Sequence, residues 1–477
     1  MVLRIYNMVA LFGAMNKTTL AGLIAAALLW PALAGCSRDH SRPAAGETVL
    51  SSPGLTLEIY GNANLDDTVD DRDAEYVTDI IGGRAAATPF ADADLDGSVD
   101  ARDIDQIRAI MAGTVTRLHL LDGNGRVLTV RRPVARIVLE YVQNAEIVRI
   151  LGVEDRVAGV DYGVDKLKPF YFPEQAARIA SVGSMQAPDY EAVLDLHPDI
   201  LLTFMKDTAE KAAKLPGVDV VYLGLYEPRL TDPGRSSFVQ GILKAGYIFG
   251  RVSRAREYVD WLLGLAKRLN ERTRTLTGAR KKTVLMTNYP YAASSAVKAY
   301  AAGDTLGQMC ELAGGANIAA RLPAYAGATS LDVDAEWILR QDPDDVFLHA
   351  VRYTYGGTTR ADPALGYDVR DTASARRCLE HYAAQPGFDN LSAVRNHHIH
   401  IIAGDFRNNA MGGLLGAVYM ANILYSGLFA DLDPEAVHQE YLSRFLRLDY
   451  DLDAQGVFLY PAVAVNGGAA GMPDGAE

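Results

Sequence analysis

Apolar and polar positions change rhythm several times along the chain. From residue 118 to 130 they alternate on either side of Asp122-Gly123-Asn124-Gly125, the pattern of a hairpin closed by a tight turn. From there short apolar runs take over. They predict strands at 137–139, 157–160, 179–182, 200–204 and 218–223, with a helix over 144–151. Continuous apolar runs of this length suit strands buried on both faces of a parallel sheet. A long helical region follows. Gly250 interrupts it, and Ser253 is the expected N-cap of the next helix. Tyr258, Leu262, Leu265 and Leu269 then recur at spacings of three or four and define one apolar face to about Leu276. A second series begins with a strand at 283–286. It continues through a helix at 305–313, strands at 346–348 and 399–402, and helices at 414–429 and 434–446. The Gly/Ala-rich end, 462–477, is expected to be disordered.

One unit occurs twice. Residues 191–199 read EAVLDLHPD and residues 336–344 read EWILRQDPD, each followed by an apolar run. Each predicts a short helix that stops before its proline, then a buried strand. The copies stand 145 positions apart. Two similar α/β lobes are therefore expected, each with one carboxylate, Glu191 or Glu336, near a helix start. Such a pair suits docking onto a partner of matching symmetry. The simpler alternative is that both are acids favoured by the helix macrodipole.

Bulk properties narrow the function. A chain of 477 residues holds two or three domains. A net charge of -13 argues against nucleic acid as a partner. The charge is concentrated: residues 58–113 carry 14 acidic and 4 basic side chains, a local net of -10. Such a segment is either a solvated tail or a cation site. The three cysteines, Cys36, Cys310 and Cys378, have no zinc or redox spacing. Cys310 lies in the apolar run LGQMCELAGG and reads as core. The chain has no GxSxG, no phosphate-binding Walker loop and no HExxH, so no enzymatic activity is expected.

The acidic segment repeats with a period of 30. Asn62, Asn64, Asp66, Asp70 and Asp73 overlay Asp92, Asp94, Asp96, Asp100 and Asp103. Within each loop these are positions 1, 3, 5, 9 and 12, with the carbonyls of Thr68 and Ser98 at position 7, the spacing of a calcium loop. One helix follows each loop and is closed by glycine. Two such tandem loops, with Asp at position 12, resemble a dockerin module over residues 56–114. The resemblance implies two calcium ions and a cohesin partner recognised through Asp71-Arg72 and Ala101-Arg102. Loop two matches better, with Gly97 at the turn where loop one has Asp67. A module this small has too little core to fold unaided, so metal is expected to supply much of its stability.

At the N-terminus, Arg4 and Lys17 precede an apolar run over 20–30 that is too short to span a bilayer. The following Leu33-Ala34-Gly35-Cys36 resembles a lipobox. The resemblance implies a signal peptide over 1–35, cleavage before Cys36 and a lipid on its sulfur. The protein would then sit outside the cytoplasm, lipid-anchored to the outer face of the cell membrane, on a flexible tether over 36–55. Met15 is an alternative start.

The main body carries a second resemblance. The runs RIVLEYVQNAEIVRILGVEDRVAGVD, VGSMQAPDYEAVLDLHPDILLTF, GDTLGQMCELAGGANIA and DVDAEWILRQDPDDVFL, with one long helix between the halves, look like the helical-backbone substrate-binding proteins of ABC importers. That family carries ferric siderophores, haem and cobalamin. The resemblance covers Thr116 to Pro461. It implies an α/β fold of two Rossmann-like lobes, 116–236 and 281–461, joined by the helices of 237–280, and preceded here by the calcium-loop module. It places Glu191 and Glu336 against arginines of an ABC permease dimer and the ligand between the lobes.

Ligands of open α/β sheets bind beyond the carboxyl ends of strands. Those ends carry Tyr141, Tyr162, Ser184, Lys206 and Tyr226 in the first lobe, and Tyr289, Tyr291, Tyr353 and Arg407 in the second. Aromatic walls with a few cations suit a large, flat, anionic chelate. In the run His397-His398-Ile399-His400, His398 and His400 share a strand face and could take a transition metal, with His349 a further candidate. The run reads more simply as the turn before a strand. The expected function is capture of a metal chelate, a ferric siderophore foremost, for an ABC importer. Alternatives are a haem or cobalamin carrier and an assembly component of a cohesin scaffold. A polysaccharide-degrading enzyme would need a carboxylate pair that does not stand out.

Overall fold

The computed structural model describes residues 54–288, 296–322, 329–350, 365–465 and 468–476. All lie within one folded unit, Leu50–Glu477. Two open sheets build the body, as the duplicated pattern predicts. The first has five parallel strands in the order 180–181, 157–160, 137–139, 200–203, 219–222. The second runs 330–334, 296–300, 283–288, 345–350, 399–403, 459–460, and a short strand at 316–317 pairs with the start of 283–288. Its centre is parallel and its outer strands antiparallel.

Two consecutive helices link the sheets. Ser236 caps the helix Ser237–Phe249 through Val239 N–H, and Gly250 ends it at φ 66°. The next helix is Val252–Thr273, 22 residues and about 33 Å long at 1.5 Å per residue. Its buried face holds Tyr258, Leu262, Leu265 and Leu269, as their spacing predicts. Ser253 is not its N-cap. The helix starts one residue after Arg251, because the left-handed turn at Gly250 re-enters helical geometry at once.

The duplicated helices are Tyr190–Asp195 and Ala335–Gln341. Asp189 caps the first through Ala192 N–H, and Asp334 caps the second through Trp337 N–H. The hairpin pairs Arg117–Leu121 with Val127–Arg131. Its tip sits on the first sheet, where Gly123 N–H donates to Tyr222 O at 2.7 Å. A Cβ on Gly123 would lie 2.6 Å from Gly224 N, so this approach requires glycine.

Two expectations change. The C-terminal segment is ordered through residue 476, apart from 466–467, which lie outside the described residues. Val463–Val465 pairs with Gly468–Ala470, and Phe458 N–H donates to Gly471 O at 2.7 Å. The apolar residues Val463, Ala470 and Met472 are buried there, which glycine content alone does not disclose. The second change concerns the acidic module. Its helices, Asp71–Ile81 and Ala101–Met111, form as predicted. They do not stand apart on a core of their own. Leu57, Ile59, Val77 and Ile107 belong to the same continuous apolar core as Leu118, Leu120 and the lobes. Glu58 pairs with buried Lys244 at 2.5 Å, Asp67 pairs with Arg256 at 2.9 Å, and Val69 N–H donates to the Tyr247 hydroxyl at 2.9 Å. The module is seated on both linking helices and shares their core.

Candidate functional site

The carboxyl ends of the two sheets meet through a set of aromatic and charged side chains. Tyr141 follows the strand 137–139 and is the N-terminal boundary of the helix Val142–Leu151. Its backbone lies at φ 71°, ψ 151°, a region that side chains other than glycine's hydrogen rarely enter. A hydrogen bond from Tyr141 N–H to Asp161 Oδ1, 3.0 Å, holds it there. The ring stacks on Phe204 at 4.0 Å between centroids, and Phe204 meets Tyr226 edge-on at 6.5 Å.

Phe204 is itself anchored from below. Its N–H donates to Glu140 Oε2 at 3.3 Å. Glu140 lies 2.6 Å from the Lys211 ammonium, and both are buried. Thr203 and Met205 bracket the same point: Thr203 Oγ1 donates to Glu140 at 2.8 Å and accepts from Met205 N–H at 3.1 Å. Burial raises the Glu140 pKa, and the Lys211 charge pulls it back. A small recess beside this anchor is lined by Asn144, Thr203, Phe204 and Leu225, and the Asn144 side-chain oxygen has no hydrogen-bond partner among the described residues.

The second lobe contributes Arg407, Asp304, Tyr300 and His349. Arg407 lies after the strand 399–403, and its guanidinium reaches Asp304 at 2.6 and 3.0 Å and the Tyr226 hydroxyl at 3.2 Å. It also sits 5.2 Å over the Tyr300 ring. Burial opposes the Arg407 charge, but Asp304 more than offsets this and its pKa is raised. Asp304 caps the helix Thr305–Leu312 with Oδ1 while pairing with Arg407. His349 is buried edge-on to Tyr300 at 5.9 Å. Burial, with the nearby Arg407 charge, pushes its pKa down to about 3, so the imidazole is neutral. The Arg407–Tyr226 contact is thus one direct polar link between the lobes.

The structure brings together three of the expected cleft residues, Tyr141, Tyr226 and Arg407. It does not bring in the rest that it describes. Tyr162 is exposed under the Lys166 ammonium at 4.6 Å. Ser184 closes the small 183–188 hairpin by accepting from Ala187 N–H. Lys206 is exposed, and its carbonyl accepts from Asn124 Nδ2 at 3.1 Å. Tyr289, Tyr291, Tyr353 and Cys36 lie outside the described residues. Phe204, Asp304 and Tyr300 were not foreseen. The clue to Asp304 was present in Gly303-Asp304-Thr305, where it reads first as a helix cap.

Glu191 and Glu336 are both exposed, each in the first turn of its own lobe's short helix. Arg340 lies 3.5 Å from Glu336, whose side chain is 85% exposed.

The two acidic loops differ. In loop two, carboxylate oxygens of Asp92, Asp94 and Asp96 lie within 4.8 Å of one another. Asp92 accepts from Asp96 N–H and Gly97 N–H, which folds the loop around that point. This donor set fits calcium. In loop one, Asn62 is fully buried and its amide donates to Leu57 O and Asp66 O, both at 2.7 Å. Asn64 donates to Asp66 at 3.0 Å. The position-1 oxygen, Asn62 Oδ1, is buried with no hydrogen-bond partner among the described residues, while neutral amides at Asn62 and Asn64 replace two carboxylates of loop two and give the ion less charge. Asp73 and Asp103, at position 12, are buried and accept from backbone N–H groups, including those of Asp70 and Asp100. Burial raises both pKa values, Asp73 to about 6. Asp70 and Asp100 cap the two helices, and Thr68 and Ser98 N–H donate to Asp66 and Asp96. Arg72 and Arg102 fold back onto Asp66, Asp70, Asp96 and Asp100.

Two α/β lobes on a helical backbone, with a side-chain cluster between their strand ends, define a solute-binding architecture. A periplasmic binding protein family model matches residues 137–405, and the chain belongs to that family. No curated protein matches the sequence. Solved structures agree on the fold. The TroA-like periplasmic binding protein FepB from Veillonella parvula is 21% identical, with a TM-score of 0.57 over 72% of this chain and 98% of its own. Molybdate-bound MolA from Haemophilus influenzae is 20% identical, with a TM-score of 0.54 over 70% and 99%. Helicobacter pylori CeuE with Ni-His is 17% identical, with a TM-score of 0.52 over 70% and 96%. The family consists of transport solute-binding proteins rather than enzymes. Among the described residues no helix is long and apolar enough to cross a membrane.

Proposed function

We propose that this protein captures a metal chelate outside the cytoplasm and delivers it to an ABC permease dimer, with a ferric siderophore as the leading ligand. The observation that carries this reading is the cluster between the lobes: Tyr141 in strained backbone stacked on Phe204, Phe204 edge-on to Tyr226, and Tyr226 against the Arg407–Asp304 pair. Strain of this kind persists where the surroundings over-determine it, and it clusters at ligand clamps. Aromatic faces supply contact area to a flat chelate, and Arg407 can meet a chelate carboxylate or hydroxamate oxygen if Asp304 yields. The similar structures of molybdate-bound MolA and of CeuE with Ni-His support a metal-containing solute. Haem and cobalamin remain the alternatives within the same class. Native mass spectrometry of the purified protein tests the reading. A co-purifying iron chelate supports it; an oligosaccharide or peptide in its place refutes it.

Two further assignments belong to the same proposal. Glu191 and Glu336 dock the lobes onto the permease, supported by their exposure and matching positions. Residues 56–114 are a dockerin-like module, with calcium held chiefly by Asp92, Asp94 and Asp96 of loop two and a cohesin module as its partner. Lipidation at Cys36 would tether the whole to the membrane.

A further inference from the structure

A second buried polar cluster lies at the opposite end of the second sheet. Asp345 opens the strand Asp345–Ala350, and His398 and His400 flank the start of Ile399–Ala403. These strands are parallel neighbours, with Phe347 opposite His400, so alternation puts Asp345, Phe347, His398 and His400 on one face. Lys282 reaches the same face from the strand that begins at Thr283, which pairs Val284 with Asp345. Asp345 Oδ1 lies 3.9 Å from His398 Nδ1 and 4.0 Å from His400 Nε2. His349, buried against Tyr300, is four residues further along the strand, about 13 Å away at 3.3 Å per residue.

What marks this cluster is unmet hydrogen bonding. Asp345 is fully buried and His400 is 9% exposed. Among the described residues neither ring nitrogen of His400 and neither oxygen of Asp345 makes a well-aligned hydrogen bond, the long Lys282 contact to Asp345 Oδ2 being the nearest approach to one. These are four of the twelve buried side-chain polar atoms without a partner among the described residues. Native interiors leave few such atoms, and each calls for an explanation. The Lys282 ammonium, 3.4 Å from Asp345 Oδ2 and on a side chain 31% exposed, offsets the charge. It does nothing for Oδ1 or for the imidazole of His400. The ring of His400 is held against Phe347, 5.0 Å between centroids and 24° from parallel. His398 is half-exposed, with Nδ1 3.3 Å from Asp344 O, and stands at the rim where an ion would enter.

We propose that Asp345, His398 and His400 form a site for one divalent transition-metal ion, separate from the ligand cleft. Two imidazoles and one carboxylate suit zinc, nickel or cobalt rather than calcium or magnesium. Ligand atoms around a tetrahedral zinc stand about 3.4 Å apart. The present 3.9 and 4.0 Å separations close by about half an ångström each, and the ring nitrogens of His398 and His400, now more than 4.8 Å apart, come together as the rim imidazole of His398 turns away from Asp344 O. Lys282 competes with the ion for Asp345 and swings out to solvent when the ion binds. Solvent completes the coordination on the open side.

The test is a Zn2+ titration of the mature full-length chain, by calorimetry in calcium-containing buffer, with Co2+ absorption as a second readout. The wild type should take up one equivalent that is lost in His400→Ala and in Asp345→Asn. Its cobalt ligand-field band should vanish in the same variants. Lys282→Ala should bind more tightly than wild type, an effect that a purely structural ion pair would not produce. If the core variants fail to fold, His398→Ala, at the exposed rim, decides by the same loss. Zinc uptake unchanged by His398→Ala and His400→Ala, or absent from the wild type, overturns the assignment.

Discussion

Single residues carry the sharpest functional statements. Tyr141 holds a backbone conformation suited to glycine, at a cost of about 1–3 kcal/mol, while its stacking on Phe204 returns about 0.5–1.5 kcal/mol. Tyr141→Gly should therefore change unfolding free energy by no more than about 2.5 kcal/mol and weaken ligand binding at least tenfold. Denaturant melts and a binding titration check both halves; a strongly destabilised variant with intact affinity would contradict the role. Glu146 makes a different point. It is fully buried and accepts from Tyr441 Oη at 2.7 Å, Tyr171 Oη at 3.1 Å, Asn409 Nδ2 at 2.7 Å and Ala410 N at 2.5 Å. It ties the first lobe's helix 142–151 to the second lobe. Burial raises its pKa from 4.5 to about 8 despite these donors. The folded state then holds a proton that the unfolded chain releases above 4.5, so stability should fall as pH rises from about 4.5 to about 8. Glu146→Gln should flatten that slope in denaturant melts at several pH values; an unchanged slope would assign it elsewhere. The placement of Tyr141, Tyr226 and Arg407 near strand ends was legible because strand ends announce themselves in the apolar pattern. Glu146 and Asp304 were not, because their partners lie 264 and 103 residues away.

Elements were legible where periodicity is long and buried. The helix 252–273 and the central strands of both sheets follow from their apolar rows. Its start was misplaced because Gly250 resets the backbone before Ser253 can act as a cap. The acidic module shows the limit of local reasoning. Its loops and helices are visible in the 30-residue repeat, but nothing local reveals that Glu58, Asp67 and Val69 are committed to the linking helices. Two expectations follow at this scale. Chelation should lower the unfolding midpoint while retaining the far-ultraviolet helical signal, because the module's apolar residues are buried in the common core. Asp94→Asn should abolish that calcium dependence and Asn64→Ala should not; collapse of helicity in chelator would show that the shared core is insufficient. Arg256→Ala leaves Asp67 buried without its ion pair and should cost about 3 kcal/mol, read as a lower denaturation midpoint.

At the scale of the whole molecule, two lobes present one exposed carboxylate each while a polar and aromatic seam joins them on the inside. Charge complementarity governs orientation more than raw affinity, so docking and capture should be separable. Glu191→Lys with Glu336→Lys should leave ligand affinity unchanged and abolish uptake in vesicles containing the cognate permease; uptake at the wild-type rate would remove both residues from docking. The two-lobe plan was readable from EAVLDLHPD and EWILRQDPD, because a repeated helix–turn–strand unit implies a repeated layer. The cluster between the lobes was only partly readable, since it is assembled from side chains of both. The most direct test of the central claim is an intrinsic-fluorescence titration of the purified protein with a ferric hydroxamate siderophore, repeated with Arg407→Ala. The account predicts saturable quenching by the wild type at micromolar chelate or below, weakened at least tenfold in the variant. No saturable response to ferric hydroxamate, haem or cobalamin would contradict it.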